Sequence, residues 1–291
     1  MPNVILTPAI IAREALMVLR NNAVMSRLVH RDFSNEFAAV GDTITIRKPA
    51  TFEAKEFVDA IEVQDATEGK VDVKMDTLLD VSFAVTSKEM TLDIKNFSEQ
   101  FLVPAMQAFS DKIDKKLIAL EKDMTNRYDH TEGIIAPADV IAVRKFLTAN
   151  AAPLAGRHFV YGAEAEADLL QSELFTNASV VGDAGTALRE ASLGRKFGMD
   201  FYVDQNIAYD TDHTPSIAFH KNAMALVTRP LALPQGAGKA SVVNYDGFGL
   251  RVVYGYDMKS KTDTVSIDML CGVKLLDDDL CAVLADKRAQ A

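Results

Sequence analysis

Tyr209-Asp210-Thr211-Asp212-His213-Thr214-Pro215 places two carboxylates and an imidazole close together, a donor set that could hold a divalent cation. A metal site needs further ligands converging from elsewhere in the fold, and none announces itself; Thr214-Pro215 favours a solvated turn between strands. Gly236-Ala237-Gly238-Lys239-Ala240-Ser241 has some of the residues of a phosphate loop but not the spacing. Val242-Val243-Asn244-Tyr245 after it reads as strand, so no helix N-terminus follows to receive a phosphate. Asp277-Asp278-Asp279 are adjacent and so do not converge on one point; a solvated turn is the expectation. Cys271 and Cys281 lack metal-ligand spacing and cannot form a disulfide framework. His30, His130, His158 and His220 stand apart, and there is neither a G-x-S-x-G nor an H-E-x-x-H. The polar residues thus point to no catalytic, cofactor-binding or metal site.

Composition narrows the classes further. The chain has 291 residues, 48% hydrophobic and 25% charged, enough for one large or two smaller domains. Its net charge is −10, and its basic residues are scattered, with adjacent pairs such as Arg47-Lys48, Lys115-Lys116 and Lys287-Arg288. Tight grip on nucleic acid requires a basic field, so it is not expected. No apolar run suits a membrane helix, and Met1-Pro2-Asn3-Val4 lacks the basic start of a secretory signal. With two cysteines, a reducing cytoplasm is the expected setting.

The elements that would position these residues are mixed. Thr7-Pro8 opens a helix carrying Ile11, Ala15, Leu16 and Leu19, and Asn21-Asn22 ends it. From Ser98 to Met124 the apolar residues Phe101, Met106, Phe109, Ile113, Leu117, Leu120 and Met124 form a helical stripe, with Asp111, Lys112, Lys115, Lys116 and Glu121 off it. Pro104 should kink this spine helix or mark where its regular part begins. Further helices are expected from Pro137 to about Pro153, over 163–170 and over 184–193, with strands at His158–Tyr161, Phe201–Val203 and Ile217–Phe219. Leu250, Val252, Tyr254 and Tyr256, then Val265, Ile267 and Met269, alternate as strands about the turn 258–262.

One region does not close on itself. Ile44 and Ile46 alternate with Thr43, Thr45 and Arg47; Val71, Val73 and Met75 alternate with Asp72, Lys74 and Asp76. Val81, Phe83 and Val85 continue the alternation further on. The stretch from Pro49 to Lys70 is polar and poor in core residues, which predicts a long projecting hairpin. Its loop carries Phe52, Phe57, Val58, Ile61 and Val63 among Glu53, Lys55, Glu56, Asp59, Glu62, Asp65, Glu68 and Lys70. These are too many charges to bury at home and too many apolar groups to leave in water. A neighbouring subunit would reconcile them. Phe52, Glu53, Lys55, Glu56, Phe57, Asp59, Ile61, Glu68 and Lys70 are the expected contacts between subunits.

The order of elements, with specific phrases, resembles the major capsid proteins of tailed bacteriophages, most nearly the coat proteins of short-tailed phages with the Hong-Kong-97-type fold. Gly41-Asp42-Thr43-Ile44-Thr45-Ile46-Arg47-Lys48-Pro49 resembles the start of that family's extended loop, and Asp80-Val81-Ser82-Phe83 with Ser87-Lys88-Glu89 its end. Phe97-Ser98-Glu99-Gln100, Pro104-Ala105-Met106 and Lys112-Ile113-Asp114 resemble the spine helix. Ala218-Phe219-His220-Lys221-Asn222-Ala223 with Arg229-Pro230-Leu231, then Gly249-Leu250-Arg251-Val252, Gly255-Tyr256-Asp257 and Gly272-Val273-Lys274, resemble its later segments.

The resemblance implies an α+β protein. Residues 1–31 would form an N-terminal arm, 32–90 the extended loop and its base, 91–130 with 229–291 a peripheral domain containing the spine, and 131–228 an axial domain. It leaves no room for an inserted domain or an N-terminal scaffolding segment. The implied function is mechanical: hexamers and pentamers of the chain, assembled in the host cytoplasm, tile the icosahedral shell of a virion around double-stranded DNA without tight or specific binding. Scaffolding, portal and decoration proteins are the implied partners; no membrane, cofactor or enzymatic step is. The alternatives are an encapsulin-type bacterial nanocompartment shell and a cytoplasmic metal-dependent α/β enzyme using Asp210, Asp212 and His213.

Overall fold

The structure is a computed structural model that describes residues 11–15, 17, 19, 24–31, 43–48, 52, 54, 69–86, 101–176, 191–210, 212–235, 239–245, 248–259 and 261–288. Its centre is the spine, α2 (Val103–Ile118), extended by a 3₁₀ turn over Ala119–Asp123. Pro104 lies in the first turn, where its missing N–H costs nothing, so it begins the regular helix rather than kinking it. Met106, Phe109, Ile113 and Leu117 are buried, as the stripe requires. Lys115 and Lys116 close the last turn, favourably placed against the negative end of the helix dipole. Glu121, expected off the stripe, is only 2% exposed, because Arg127 and His213 meet it there.

One side of α2 carries a five-stranded antiparallel sheet. β3 (Thr77–Thr86), β12 (Thr262–Leu275), β11 (Phe248–Asp257) and β10 (Lys239–Tyr245) pair in that order, and β9 (Met224–Arg229) pairs with the last part of β12. Val81 faces Ile267 and Phe83 faces Val265 across the β3–β12 ladder, and this apolar set joins the spine in one core. The opposite face is polar, with Asp80 accepting hydrogen bonds from Ser82 and Ser266.

The other side of α2 carries a six-stranded mixed sheet. Its order is β4 (Arg127–His130), β13 (Cys281–Asp286), β8 (Thr214–His220), β5 (Arg157–Tyr161), β7 (Met199–Val203) and β6 (Arg195–Lys196). Val160, Ile217, Phe219 and Val283 reach the spine, while Phe159, Tyr161, Ala218 and Leu284 pack on α3 (Pro137–Ala149) and α4 (Ala163–Gln171). The Asp139 carboxylate accepts the Ala136 N–H at 2.8 Å and so caps the start of α3. Arg157, 1% exposed, holds its end, donating to the carbonyls of Ala152 at 2.6 Å and Pro153 at 2.8 Å.

One expectation is corrected. Residues 191–193 are not helical: Ala191 has φ 53°, which a right-handed helix cannot continue through. The rest of the expected 184–193 helix lies outside the described residues, as do residues 98–100 and the expected helix start at Thr7-Pro8. Strands of the two sheets come from distant parts of the chain: β4 and β13 join the six-stranded sheet at one edge, while β9 pairs with β12 in the five-stranded sheet. The short helices α1 (Met25–Leu28) and α5 (Glu173–Thr176) are also among the described elements.

Candidate functional site

The base of the expected hairpin is present. β1 (Thr43–Lys48) and β2 (Gly69–Lys74) pair antiparallel from Thr43↔Lys74 to Lys48↔Gly69, and form a sheet of their own. The base is fastened to the body: Ile44, Val73 and Met75 are buried against Ala225 and Val227 of β9. β2 crosses β12 so closely at Gly272 that a Cβ there would lie 2.3 Å from the Lys74 carbonyl oxygen. The Lys48 ammonium stands 3.3 Å from Asp277. Among the described residues at and beyond the end of this ladder, Phe52 is 67% exposed, and Ala54, Gly69 and Lys70 are exposed. Of the expected intersubunit contacts, Phe52 and Lys70 are therefore placed in solvent in the single chain. Glu53, Lys55, Glu56, Phe57, Asp59, Ile61 and Glu68 lie outside the described residues.

The structure gives the other candidates structural work. Asp210 and His213 form an antiparallel bridge, so the segment is a tight turn leading into β8. Lys122 pairs with Asp210 at 2.5 Å, and that hydrogen bond raises the lysine pKa. His213 Nδ1 donates to Asp212 at 2.6 Å, which holds the Asp212 pKa below the usual carboxylate range. Arg127 donates to His213 Nε2 at 2.5 Å and lies 3.4 Å from Glu121. Both imidazole nitrogens and all three carboxylates are thus engaged, and among the described residues no group of three or more His, Cys, Asp and Glu is arranged to hold a metal. Asp278 opens a 3₁₀ turn none of whose residues is buried, the kind of turn expected there. It accepts the Thr125 backbone N–H at 3.0 Å and the Thr125 hydroxyl, tying β13 to the end of the spine. Burial raises both cysteine thiols, Cys271 to about 11, so neither is a reactive thiolate. Gly236–Gly238 lie outside the described residues, and β10, which begins at Lys239, is the strand expected there.

Three polar residues with structural roles escaped the sequence reading: Arg157, Asp114 and Asp204, each 1% exposed. Asp114 left a trace, since it falls at helical spacing within the stripe Ser110, Ile113, Leu117, where a charged residue has no reason to be unless it is partnered. Arg157 and Asp204 sit at strand ends and carry no periodic signal.

No protein-family model matches the chain, and no curated protein does. Solved structures do. A chain from Mycobacterium phage Che8 superposes with a TM-score of 0.65 and 22% identity, covering 90% of each chain. The asymmetric unit of the bacteriophage PhiM1 mature capsid gives a TM-score of 0.58 at 13% identity, over 86% of this chain and 83% of that one. A virus-like particle from Pyrococcus furiosus gives 0.54 at 12%, over 94% and 97%. The chain has the Hong-Kong-97-type capsid fold. Hairpin base, spine helix, α/β middle and β-rich return follow one another along the chain in the order of that resemblance.

Proposed function

We propose that the chain is the major capsid protein of a tailed phage, a structural subunit whose copies build the icosahedral shell around the genome. The carrying observation is the arm: a two-stranded sheet anchored at one end by Ile44, Val73 and Met75 that holds Phe52 and Lys70 in solvent. Its loop composition suits burial against another subunit, apolar side down and charges at the rim. Shells close through repeated broad interfaces, which need no perturbed catalytic group. Residues 131–228 would then supply most of the axial domain, residues 32–90 the extended loop, and 91–130 with 229–291 the peripheral domain. Pentamers and hexamers would assemble in the host cytoplasm with scaffolding, portal and decoration proteins, and the acidic chain would keep DNA from adhering to the wall.

The test is sedimentation and negative-stain microscopy of the expressed chain, with and without a scaffolding partner. Closed particles or capsomer rings are the expected result; a monomer under every assembly condition overturns the proposal. The encapsulin-type alternative shares the fold, and particle contents separate the two: DNA packaged in virions for one, an enclosed protein for the other.

A further inference from the structure

The edge of the six-stranded sheet at β6 carries an arginine without an acid. Arg144 lies on α3, and its Nη2 comes within 3.9 Å of where a Cβ on Gly198 would stand, so it reaches the turn between β6 and β7. Its Nε is buried and has no hydrogen-bond partner, and among the described residues its guanidinium meets no carboxylate. Arg127, Arg251 and Arg288 each face one. Burial first, and then the charge of Arg144, lower the Arg157 pKa, so a second guanidinium stands nearby. Lys145 and Arg195, both exposed, add to this positive field; Arg195 has Asp200 at 3.5 Å. A guanidinium cannot shed its proton to relieve such crowding.

Apolar side chains flank Arg144. Ile141, one helical turn earlier on α3, is 47% exposed, and Phe197 in the β6–β7 turn is 36% exposed. Lys196 pairs with Met199, so that turn has two residues, Phe197 with φ 49° and Gly198 with φ 75°. Positive φ at both positions suits Asn-Gly or Gly-Gly; an aromatic residue at the first is sterically costly. The Phe197 ring nevertheless stays at the surface, perpendicular to the Phe175 ring at 5.7 Å. A half-buried arginine that must stay charged, set between two exposed apolar side chains, has the make-up of a binding hot spot rather than of a solvated face.

We propose that Arg144, with Ile141 and Phe197 beside it, is a docking surface for a second copy of this chain, and that Arg144 takes a carboxylate of that copy. Charge selects the occupant. The chain carries −10, so a second copy presents more carboxylates than cations, while this edge is locally basic. Glu132, Glu164 and Glu173 are exposed in the same third of the chain and pair with no base among the described residues. A basic patch that meets a different, acidic patch makes a heterologous contact, and such contacts close into rings when the rotation permits. The inference rests on the shell reading for the presence of a second copy, and it places a contact outside the arm.

The experiment uses the full chain under conditions in which the wild type forms rings or particles. Arg144→Glu should melt within a few degrees of the wild type, because no partner inside the chain is lost. By sedimentation it should need roughly tenfold more protein, or more, to assemble. Arg144→Lys keeps the charge and supplies an amine. In particles built from mixed light and heavy isotope-labelled copies of that variant, a zero-length carbodiimide should link position 144 to an Asp or Glu of another copy. Mass spectrometry identifies the link, a readout that does not depend on Arg144→Glu folding. Assembly of Arg144→Glu at the wild-type concentration, or a link at position 144 that is absent or confined to one chain, would overturn the proposal and leave the shell reading standing. A wild type that stays monomeric under every condition would overturn both.

Discussion

The spine and the arm use apolar surface in opposite ways. Around α2, Phe109, Ile113 and Leu117 sit in one core with Val252 and Ile267 of the five-stranded sheet and Val160, Ile217 and Phe219 of the six-stranded sheet. Both faces of the fold depend on that helix. The arm buries Ile44, Val73 and Met75 at its base, while Phe52, further out, stays largely in water. The spine uses its apolar surface within one chain; on the proposed reading the arm uses its own between chains. On that reading stability and assembly are separable, and substitutions at graded positions from spine to arm should separate them.

Phe109→Ala strikes the shared core and should have the largest effect. It removes a side chain 1% exposed, at a cost of about 3–5 kcal/mol. Thermal denaturation should show one cooperative transition moved well downward, because both sheets lose the same support. Two resolved transitions, or a near-wild-type Tm, would show that the sheets do not share the core described above.

Gly272→Ala acts where arm and body touch. A new Cβ would lie 2.3 Å from the Lys74 carbonyl oxygen and 3.1 Å from Met75 Cα, backbone atoms that can yield only if β2 moves away from β12. The expected cost is about 1–3 kcal/mol, smaller than that of the spine variant because Ile44 and Val73 can retreat without opening the main core. Limited proteolysis should show faster cleavage within residues 43–74 than in the wild type, with α2 still protected. Unchanged cleavage of the arm would mean that the crossing at Gly272 does not hold it in place.

The same contrast separates what the sequence makes legible from what it hides. The spine stripe could be read, because 3.6-residue periodicity survives when one helix face is buried. β1, β2, β3 and β12 could be read, because each has one apolar and one polar face: Val81, Phe83 and Val85 against Asp80, Ser82 and Ala84. β9 and β13 went unread. Every position of β13 is buried, since the spine covers one face of its sheet and α3 the other. Such a run has no period to detect. The loop between Pro49 and Lys70 was legible as a contradiction in composition. Asp204, by contrast, became visible only when the fold brought the turn after β7 against Asp111; nothing local marks it.

Deleting residues 53–68 and closing the gap with a short glycine turn should have the smallest effect on the isolated subunit and the largest on the shell. The strands keep their register, because the last paired residues, Lys48 and Gly69, lie outside the deletion. The base keeps Ile44, Val73 and Met75 on Ala225 and Val227, and the spine core is untouched. A shorter connection also lowers the entropy cost of closing the hairpin, though only slightly. The variant should therefore remain soluble and melt cooperatively within a few degrees of the wild type. What it lacks is the segment carrying Phe57, Ile61, Glu53, Glu56, Asp59 and Glu68, whose mix of apolar and charged side chains suits a neighbour's surface. If that segment rests on a neighbour, sedimentation should find subunits or incomplete rings where the wild type gives closed particles. Intact shells from the deleted chain would show that the arm is dispensable for closure. A deleted chain that cannot fold would show that the loop belongs to its own subunit's core, and the contrast between spine and arm would fail at its outer end.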